Sequence, residues 1–290
     1  MYNLKCIYYY LKPLDVKKLD ENEMELAFGE KIELKIPTMI GRMGATESST
    51  IIAELMGSRK RKEKMCEQLC RWSGFFPNNI DFLRRFSKEY LCALKEVDYI
   101  HLLNEKWDFY LVKKYCEKKI SYIENPGVWA AENPWSKHLK NKKVLVIHPF
   151  EESIRKQYKI HEKLFQNPDM LPDFELKTIK AVQTIAGNAD ERFQTWFEAL
   201  EWMKKQMDLC DYDVALIGCG AYGFPLAAHA KRMGKIGIHM GGDLQMLFGI
   251  WGSRWNTNVK ALQLRNEYWT NPLENEKPMK CQCVEGGCYW

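Results

Sequence analysis

The chain has 290 residues, of which 46% are hydrophobic and 28% are charged, and its formal net charge is +5. This hydrophobic share is ample for a buried core and excludes a chain that is mainly disordered. The mild, well-mixed charge argues against a nucleic-acid-binding protein, whose basic residues usually gather on one face, but it is compatible with an anionic ligand such as a phosphate.

The N-terminal residues 1–18 contain a short apolar patch that is interrupted by Lys12 and Pro13. The patch lacks the long apolar region of a signal peptide. The sequence also contains no run of about 18 apolar residues, so we expect no transmembrane helix. We therefore expect a cytoplasmic protein, with peripheral membrane association left open.

The ten cysteines are scattered along the chain, and without a secretion signal we expect them to be reduced. Three of them form a C-x-C-x4-C cluster at residues 281–288. This cluster indicates either a zinc site or, as the favoured interpretation, a cysteine-rich tail that docks on the surface.

The first half of the chain predicts a mixture of helices and strands. After a lead-in at 1–36, residues 38–57 predict a strand, a glycine turn and a helix that Thr46 or Ser48 caps and Gly57 ends. The basic run that follows is interpreted as the solvated face of a helix. The predicted elements are helices at 59–72, 79–95 and 106–119, a strand at 97–103, a strand or turn at 121–129, and a short helix from 133.

From residue 143 the alternation of strand and helix is clearer. Strands are predicted at 143–150, 174–185, 213–218 and 235–242, and helices at 151–165, 190–210 and 224–234. The strand at 143–150 is continuously apolar, as expected when helices cover both faces of a sheet. The pattern predicts an α/β, Rossmann-like fold with a mostly parallel sheet flanked by helices. We expect one catalytic domain at 1–270, with a mainly helical portion at 58–128, and an irregular tail at 271–290.

Glycine-rich turns follow several of these strands, and ligands of open α/β sheets bind at the carboxyl ends of strands. The segment 218–223 has the G-x-G-x-x-G spacing, with Gly218, Gly220, Tyr222 and Gly223 as candidate phosphate-binding residues. Alternatives are a tight packing turn without ligand and a nicotinamide site. The nicotinamide reading lacks an acidic residue at the end of the next strand, because Asp243 comes slightly too late.

A second turn runs from Ile40 to Glu47. Gly41 and Gly44 free its backbone, and Arg42 offers donors suited to phosphate oxygens. Glu47 lies near the first turn of the next helix, where helix capping is the alternative interpretation.

A third glycine-rich segment runs from His239 to Trp255. Gly241, Gly242, Asp243 and Gln245 resemble a ligand-binding loop, while Trp251 and Trp255 are either a wall for a base or sugar or core aromatics beneath the tail. His148, at the end of another strand, is a candidate phosphate contact or base, with a structural role as the alternative.

Taken together, these segments resemble the bacterial GT-D-type glycosyltransferases, which have a Rossmann-like fold and act on nucleotide sugars. Members carry a loop of the form Arg-aromatic-Gly-Asp-Gly-Glu, and here residues 42–47 read Arg-Met-Gly-Ala-Thr-Glu. The strand at 143–150, the segment 213–235 and the segment 241–255 are also similar. The resemblance covers roughly residues 38–57 and 129–269.

The resemblance implies a donor diphosphate held by Arg42, the glycine turns and a divalent metal, Mn²⁺ or Mg²⁺, on Glu47. The metal site is weakened, because Ala45 occupies the position of the Asp ligand. The resemblance also implies a nucleotide sugar, with UDP-sugar favoured, and a surface-polysaccharide or protein-glycan acceptor. Glu47, His148 and Asp243 are the candidate catalytic bases. A nicotinamide-dependent oxidoreductase and a non-catalytic nucleotide-sugar-binding subunit are the alternatives.

Overall fold

The computed structural model describes residues 18–103, 105–116, 120–123 and 127–290. Residues 1–17 of the predicted lead-in at 1–36, the last residues of the helix predicted at 106–119 and part of the segment predicted at 121–129 lie outside these ranges. Cys6 lies outside them as well.

The core of the fold is one parallel sheet. Its strands are β1 (Lys18–Leu19), β2 (Thr38–Met43), β3 (Tyr99–Leu102), β4 (Ser121–Ile123), β5 (Lys143–His148), β6 (Glu175–Lys180), β7 (Val214–Ile217) and β8 (Ile236–His239). They are arranged in the order β1-β4-β3-β2-β8-β7-β5-β6, and every strand pair in the described part of the chain is parallel. The predicted α/β class with a mostly parallel sheet is confirmed.

Helices connect the strands and cover both faces of the sheet. The described α-helices are α1 (Glu21–Glu33), α2 (Ala45–Met56), α3 (Arg59–Ser73), α4 (Leu83–Leu94), α5 (Glu105–Tyr115), α6 (Glu151–Tyr158), α7 (Trp196–Asp208), α8 (Gly223–Arg232), α9 (Asp243–Leu247) and α10 (Val259–Leu264). None of the helices in the described residues is long and apolar enough to cross a membrane.

Alternate residues of the central strands feed two hydrophobic cores, one on each face of the sheet. Leu145, Ile147 and Ala215 pack toward helices such as α2, α4, α7 and α8. Val144 and Val146 pack toward α1, α6, α9 and the segment near Trp269. Because both faces are covered, these strands read as continuous apolar runs in the sequence.

The chain reverses its winding direction between β5 and β7. These strands are neighbours, but α6 carries the chain from β5 outward to β6, whereas α8 carries it from β7 the other way to β8. Such a reversal leaves a crevice outside the carboxyl ends of the two strands, which is where ligands bind in open α/β sheets. His148 ends β5 and Gly218 follows β7, so both lie at this crevice.

Two local predictions are corrected. Helix α2 is capped by Gly44, with no side-chain capping bond, rather than by Thr46 or Ser48, although it ends at Gly57 as predicted. Helix α7 starts at Trp196 rather than residue 190, because the Thr195 side chain accepts the Glu198 N–H and caps it there. The stretch 58–128 contains helices together with β3 and β4, which lie within the segments predicted at 97–103 and 121–129.

Candidate functional site

A cavity of about 260 Å³ opens at the carboxyl edge of the sheet. Its wall follows the ends of β2, β3, β5, β6, β7 and β8. The volume of the cavity is slightly below the roughly 300–1,000 Å³ typical of small-molecule sites. Predicted site residues in the wall are Arg42, Gly44, Glu47, His148, Gly218, Gly220, Gly241, Gly242 and Gln245.

Four residues predicted for the site are not in the cavity wall, namely Gly41, Tyr222, Gly223 and Asp243. A Cβ built on Gly41 would meet the Phe224 ring, and one on Gly223 would meet the His239 ring, so both glycines permit close packing behind the wall. The Tyr222 ring is buried and stacks on Trp196 at a centroid distance of 5.1 Å. Asp243 does not line the cavity but binds Arg42, which does.

Arg42 is held by the turn after β8. Its Nη1 donates to Asp243 Oδ2 at 2.6 Å and to the Met240 carbonyl oxygen at 3.0 Å. The second Asp243 oxygen, Oδ1, accepts the Trp129 indole N–H at 3.1 Å. Arg42 Nε and Nη2 make no hydrogen bond within the described residues. Arg42 therefore presents two oriented, unused donor groups at the cavity.

A second guanidinium, that of Arg254, reaches the same turn. A Cβ on Gly241 would lie 3.3 Å from Arg42 Nη1, and one on Gly242 would lie 3.1 Å from Arg254 Nη1. Since these glycines are consecutive, the two cations approach neighbouring residues of one turn. Arg254 lies over the Tyr289 ring at 4.8 Å, and its Nη2 is 4.0 Å from Glu285 Oε2.

Glu47 lines the cavity but is almost fully buried, with 6% of its surface exposed. Its carboxylate folds back over Gly44, where a Cβ would overlap Oε2. Burial raises the pKa of Glu47, while hydrogen bonds from Ser73 and from its own N–H, and the charge of Arg42, act in the opposite direction. A buried carboxyl group with a raised pKa in a cavity wall is suited to proton transfer.

Two histidines at the cavity are neutral. Burial lowers the pKa of His148 to about 3, and the same effect, assisted by the Arg42 charge, lowers the pKa of His239 to about 3. His148 Nδ1 accepts the Phe150 backbone N–H at 2.9 Å, so the proton of the neutral ring is on Nε2. His148 is thus a hydrogen-bond donor in this arrangement, and neither ring nitrogen is free to act as a base.

In the G-x-G-x-x-G turn, packing requires a glycine at the second glycine position, Gly220. Gly220 has a φ of +56°, and a Cβ there would lie 2.8 Å from the Ser73 carbonyl oxygen. The backbone of this turn therefore touches the end of α3 at Gly220, and it lines the cavity at Gly218, Cys219 and Gly220. A side chain at Gly220 would disturb this packing, so a substitution there cannot be used to test ligand binding.

The two tryptophans predicted as a ligand wall belong to the core. Trp251 is 2% exposed and donates from Nε1 to Asn256 at 2.8 Å, and its ring contacts Trp269. Trp255 is also buried and packs beneath Gly252 in the segment that the tail covers. The alternative interpretation, core aromatics under the tail, is the one that the structure supports.

The residues present do not fit a divalent-metal site. Position 45 is Ala, the Glu47 carboxylate is buried and folded back over Gly44, and both oxygens of Asp243 are engaged by Arg42 and Trp129. In the part of the chain that the structure describes, no three His, Cys, Asp or Glu side chains are grouped so that they could hold a metal. No catalytic step is assigned to a metal.

The tail at 271–290 docks on the body and completes the cavity. The Glu276 carboxylate accepts the backbone N–H of Glu152 at 2.8 Å and of Ser153 at 3.3 Å, and so caps α6 from a distant part of the chain. Further along, Glu285, Tyr289 and Trp290 form part of the cavity wall. Among the described residues, Cys281, Cys283 and Cys288 are free thiols.

Several residues of the cavity wall were not predicted as site residues from the sequence. They are Trp72, Ser73, Leu103, Gln183, Arg254, Glu285, Tyr289 and Trp290. Only Arg254 carried a local signal, since it lies within the glycine- and aromatic-rich segment that follows β8. The others reach the cavity from helix α3 and from distant loops or the tail, which no motif spacing indicates.

No protein-family model matches the chain, and no curated protein matches it. Two solved structures are similar to it. One is a selenomethionine-substituted structure of the domain of unknown function 1792, with 11% identity, a TM-score of 0.44 and 82% of each chain covered. The other is described as that highly conserved domain with a distinct glycosyltransferase fold, with 10% identity, a TM-score of 0.43 and coverage of 81% and 82%.

Proposed function

We propose that the chain is a glycosyltransferase that binds a nucleotide-diphosphate sugar in this cavity, with a UDP-sugar as the favoured donor. The observation that carries the proposal is that Arg42 and Arg254 both line the cavity at the carboxyl edge of the sheet, Arg42 beside Gly241 and Arg254 beside Gly242. Two guanidinium groups on one glycine turn suit a diphosphate, because the turn lets phosphate oxygens approach both forks of donors.

The same groups would stabilise the leaving group. When the bond from the anomeric carbon to the diphosphate oxygen breaks, the electron pair leaves with the diphosphate and its negative charge rises. Donors that are fixed in advance lower the barrier to such a step. Arg42 is fixed by Asp243, and the N-terminus of α2 at Ala45 and Thr46 adds backbone N–H groups in the cavity wall.

Glu47 is the proposed base. The acceptor hydroxyl oxygen forms the new bond to the anomeric carbon, and its proton passes to the Glu47 carboxylate. Of the three candidates, His148 is neutral with Nδ1 occupied, and both oxygens of Asp243 are paired. Glu47 lines the cavity and has a raised pKa, as a base that works near neutral pH requires. The proposed acceptor is a surface polysaccharide or a glycan on a protein, and the proposed location is the cytoplasm.

The two alternative functions have less support. A nicotinamide site needs a free carboxylate for the ribose hydroxyls, and Asp243 is engaged by Arg42 and Trp129. A subunit that binds nucleotide sugars without transferring the sugar would keep the arginines but have no use for a carboxyl group with a raised pKa in the cavity wall.

A thermal-shift panel tests the proposed function. The full chain is heated with UDP-, GDP-, dTDP- and CMP-sugars and with NADH, in chelator and in Mn²⁺. We expect the melting temperature to rise with a UDP-sugar in both conditions and to stay unchanged with NADH. Stabilisation by NADH alone, or by none of these compounds, would overturn the proposal. Release of UDP on addition of a glycan acceptor would then separate a transferase from a binding subunit.

A further inference from the structure

The cavity wall contains buried polar atoms that find no partner within the described residues. Gln245 Oε1, His239 Nδ1 and Trp290 Nε1 all belong to residues that line the cavity. A buried polar group without a hydrogen bond costs about 1–3 kcal/mol, so native structures usually satisfy such groups with water or a ligand. Their concentration around one cavity points to a ligand that supplies the missing partners.

Two of these atoms have a fixed hydrogen-bonding role, one as an acceptor and one as a donor. Gln245 Nε2 donates to the Ile250 and Tyr289 carbonyl oxygens, each at 3.2 Å, so the amide cannot be reversed and Oε1 must be an acceptor. The Trp290 indole nitrogen can only donate. The two residues are close, because Gln245 holds the carbonyl of Tyr289, the residue before Trp290. Two wall residues that are linked through Tyr289 thus carry one buried acceptor and one buried donor without partners within the described residues.

This pair lies next to the cationic turn. A Cβ on Gly242 would lie 2.8 Å from the Tyr289 ring and 3.1 Å from Arg254 Nη1. Tyr289 therefore contacts both parts of the wall, since its ring lies beneath Arg254 at 4.8 Å and its carbonyl oxygen accepts from Gln245. The anion-binding part of the cavity passes into a part that is neutral, aromatic and provided with a donor and an acceptor.

We propose that Gln245 and Trp290 form a recognition subsite for the uncharged part of the donor. The subsite takes a neutral group that itself combines a hydrogen-bond donor with an acceptor, which is the chemistry of both a sugar hydroxyl and the imide edge of uracil. This inference rests on the proposed function. It adds that the tail at 285–290 selects the ligand, in addition to closing the cavity.

The tail is built so that it can adjust around such a ligand. Glu285, Gly286 and Gly287 have consecutive positive φ angles of 47°, 71° and 79°, and no atom lies within 4 Å of a Cβ built on Gly286. The two unpartnered atoms are sealed from water in the present arrangement. The proposal therefore requires a rotation about this glycine pair that opens them to the ligand, while the Glu276 contact holds the start of the tail on α6.

The test is calorimetric titration of the full chain with inorganic pyrophosphate, UDP and UDP-glucose. Trp290→Phe removes the indole N–H and keeps an aromatic ring against Phe150, which it meets at 6.1 Å. Trp196→Phe is the matched control, since its N–H is also buried and unpartnered within the described residues but lies away from the cavity. We expect Trp290→Phe to weaken UDP-glucose about three- to tenfold, to leave pyrophosphate unchanged, and to differ from Trp196→Phe.

The ligand series identifies the group that is recognised. A loss of affinity for UDP and UDP-glucose alike assigns the subsite to uracil, and a loss for UDP-glucose alone assigns it to the sugar. Unchanged UDP-glucose binding in both Trp290→Phe and Gln245→Met, or an equal loss for pyrophosphate, would overturn the inference while the proposed function stands. If wild type binds neither nucleotide, the proposed function and the inference both fail.

Discussion

The Asp243 carboxylate fixes the Arg42 guanidinium across the β2–β8 boundary of the sheet. The two groups are 2.6 Å apart, with side chains only 19% and 11% exposed, and the second Asp243 oxygen binds Trp129. An ion pair that is this well shielded is hard to break, because losing one partner leaves the other charge poorly solvated. Asp243 is therefore a positioning residue for Arg42.

This arrangement predicts that Asp243→Asn destabilises the protein. We expect a loss of about 1–3 kcal/mol in the free energy of unfolding, less than for a fully buried pair because some solvent remains. Asp211→Asn is the control, since its pair with Lys143 has exposed side chains and should change the free energy of unfolding much less. The measurement is urea denaturation followed by fluorescence. Equal effects of the two variants would mean that burial does not strengthen the Arg42 pair.

Gly220 is predicted to be required for folding. Gly220→Ala combines a positive φ with a Cβ 2.8 Å from the Ser73 carbonyl oxygen, so we expect a loss of about 2–4 kcal/mol in the free energy of unfolding. Gly234→Ala isolates the backbone effect, because its φ is +74° and no atom lies within 4 Å of its Cβ. That variant should lose about 1 kcal/mol. Denaturation of both proteins is the measurement, and a smaller loss at Gly220 would contradict the packing role.

Much of the architecture could be predicted from the sequence because it is encoded locally. The units predicted at 38–57, 143–165 and 213–234 each show an apolar strand, a turn and an amphipathic helix, and the structure contains all three, although the helix of the second unit ends at Tyr158. Because ligands of open α/β sheets bind at the carboxyl ends of strands, Arg42, His148 and Gly218 could be assigned to one crevice without knowledge of tertiary contacts.

The rest of the site depends on contacts between distant residues. Tyr289 and Trp290 reach the cavity only because Glu276 anchors the tail on α6, which no local pattern records. Gly41 and Gly223 looked like ligand-binding glycines because packing glycines and ligand glycines have the same sequence signal. Asp243 was a candidate base because its pairing with Arg42 and Trp129 depends on the fold.

Glu47→Gln tests the proposed base. The amide keeps the shape of the side chain but cannot accept a proton, so we expect the rate of sugar transfer to fall about 100-fold or more. Donor affinity should stay nearly unchanged. Because a base must be deprotonated and burial raises the pKa of Glu47, the wild-type rate should also fall as the pH drops through that pKa. A variant with the normal rate and pH profile would remove Glu47 from the chemistry.

The buried histidines predict that stability falls in mild acid. In the unfolded chain they bind protons below about pH 6.5, but in the folded chain the pKa of each is about 3, so acid favours unfolding. Each contributes a loss of about 1.4 kcal/mol between about pH 7.5 and pH 5.5. The raised pKa of Glu47 opposes this, since a protonated carboxyl group favours the folded state.

Urea denaturation at these two pH values gives the test. Wild type should lose stability toward acid, and His148→Asn should show a loss that is about 1 kcal/mol smaller, because one of the two groups is gone. The comparison concerns the change with pH, so a lower stability of the variant at neutral pH does not affect it. An identical change in the two proteins would show that His148 does not stay neutral in the folded state.

The central claim is that Arg42 binds the diphosphate of a nucleotide sugar, and calorimetric titration with a UDP-sugar in the presence of chelator tests it most directly. We expect saturable one-to-one binding to wild type and an affinity about tenfold or more lower in Arg42→Ala, because a charge-assisted bond to phosphate is lost. Arg59→Ala should bind like wild type, since Arg59 is 82% exposed on α3. No binding to wild type, or equal affinities for Arg42→Ala and Arg59→Ala, would contradict the account.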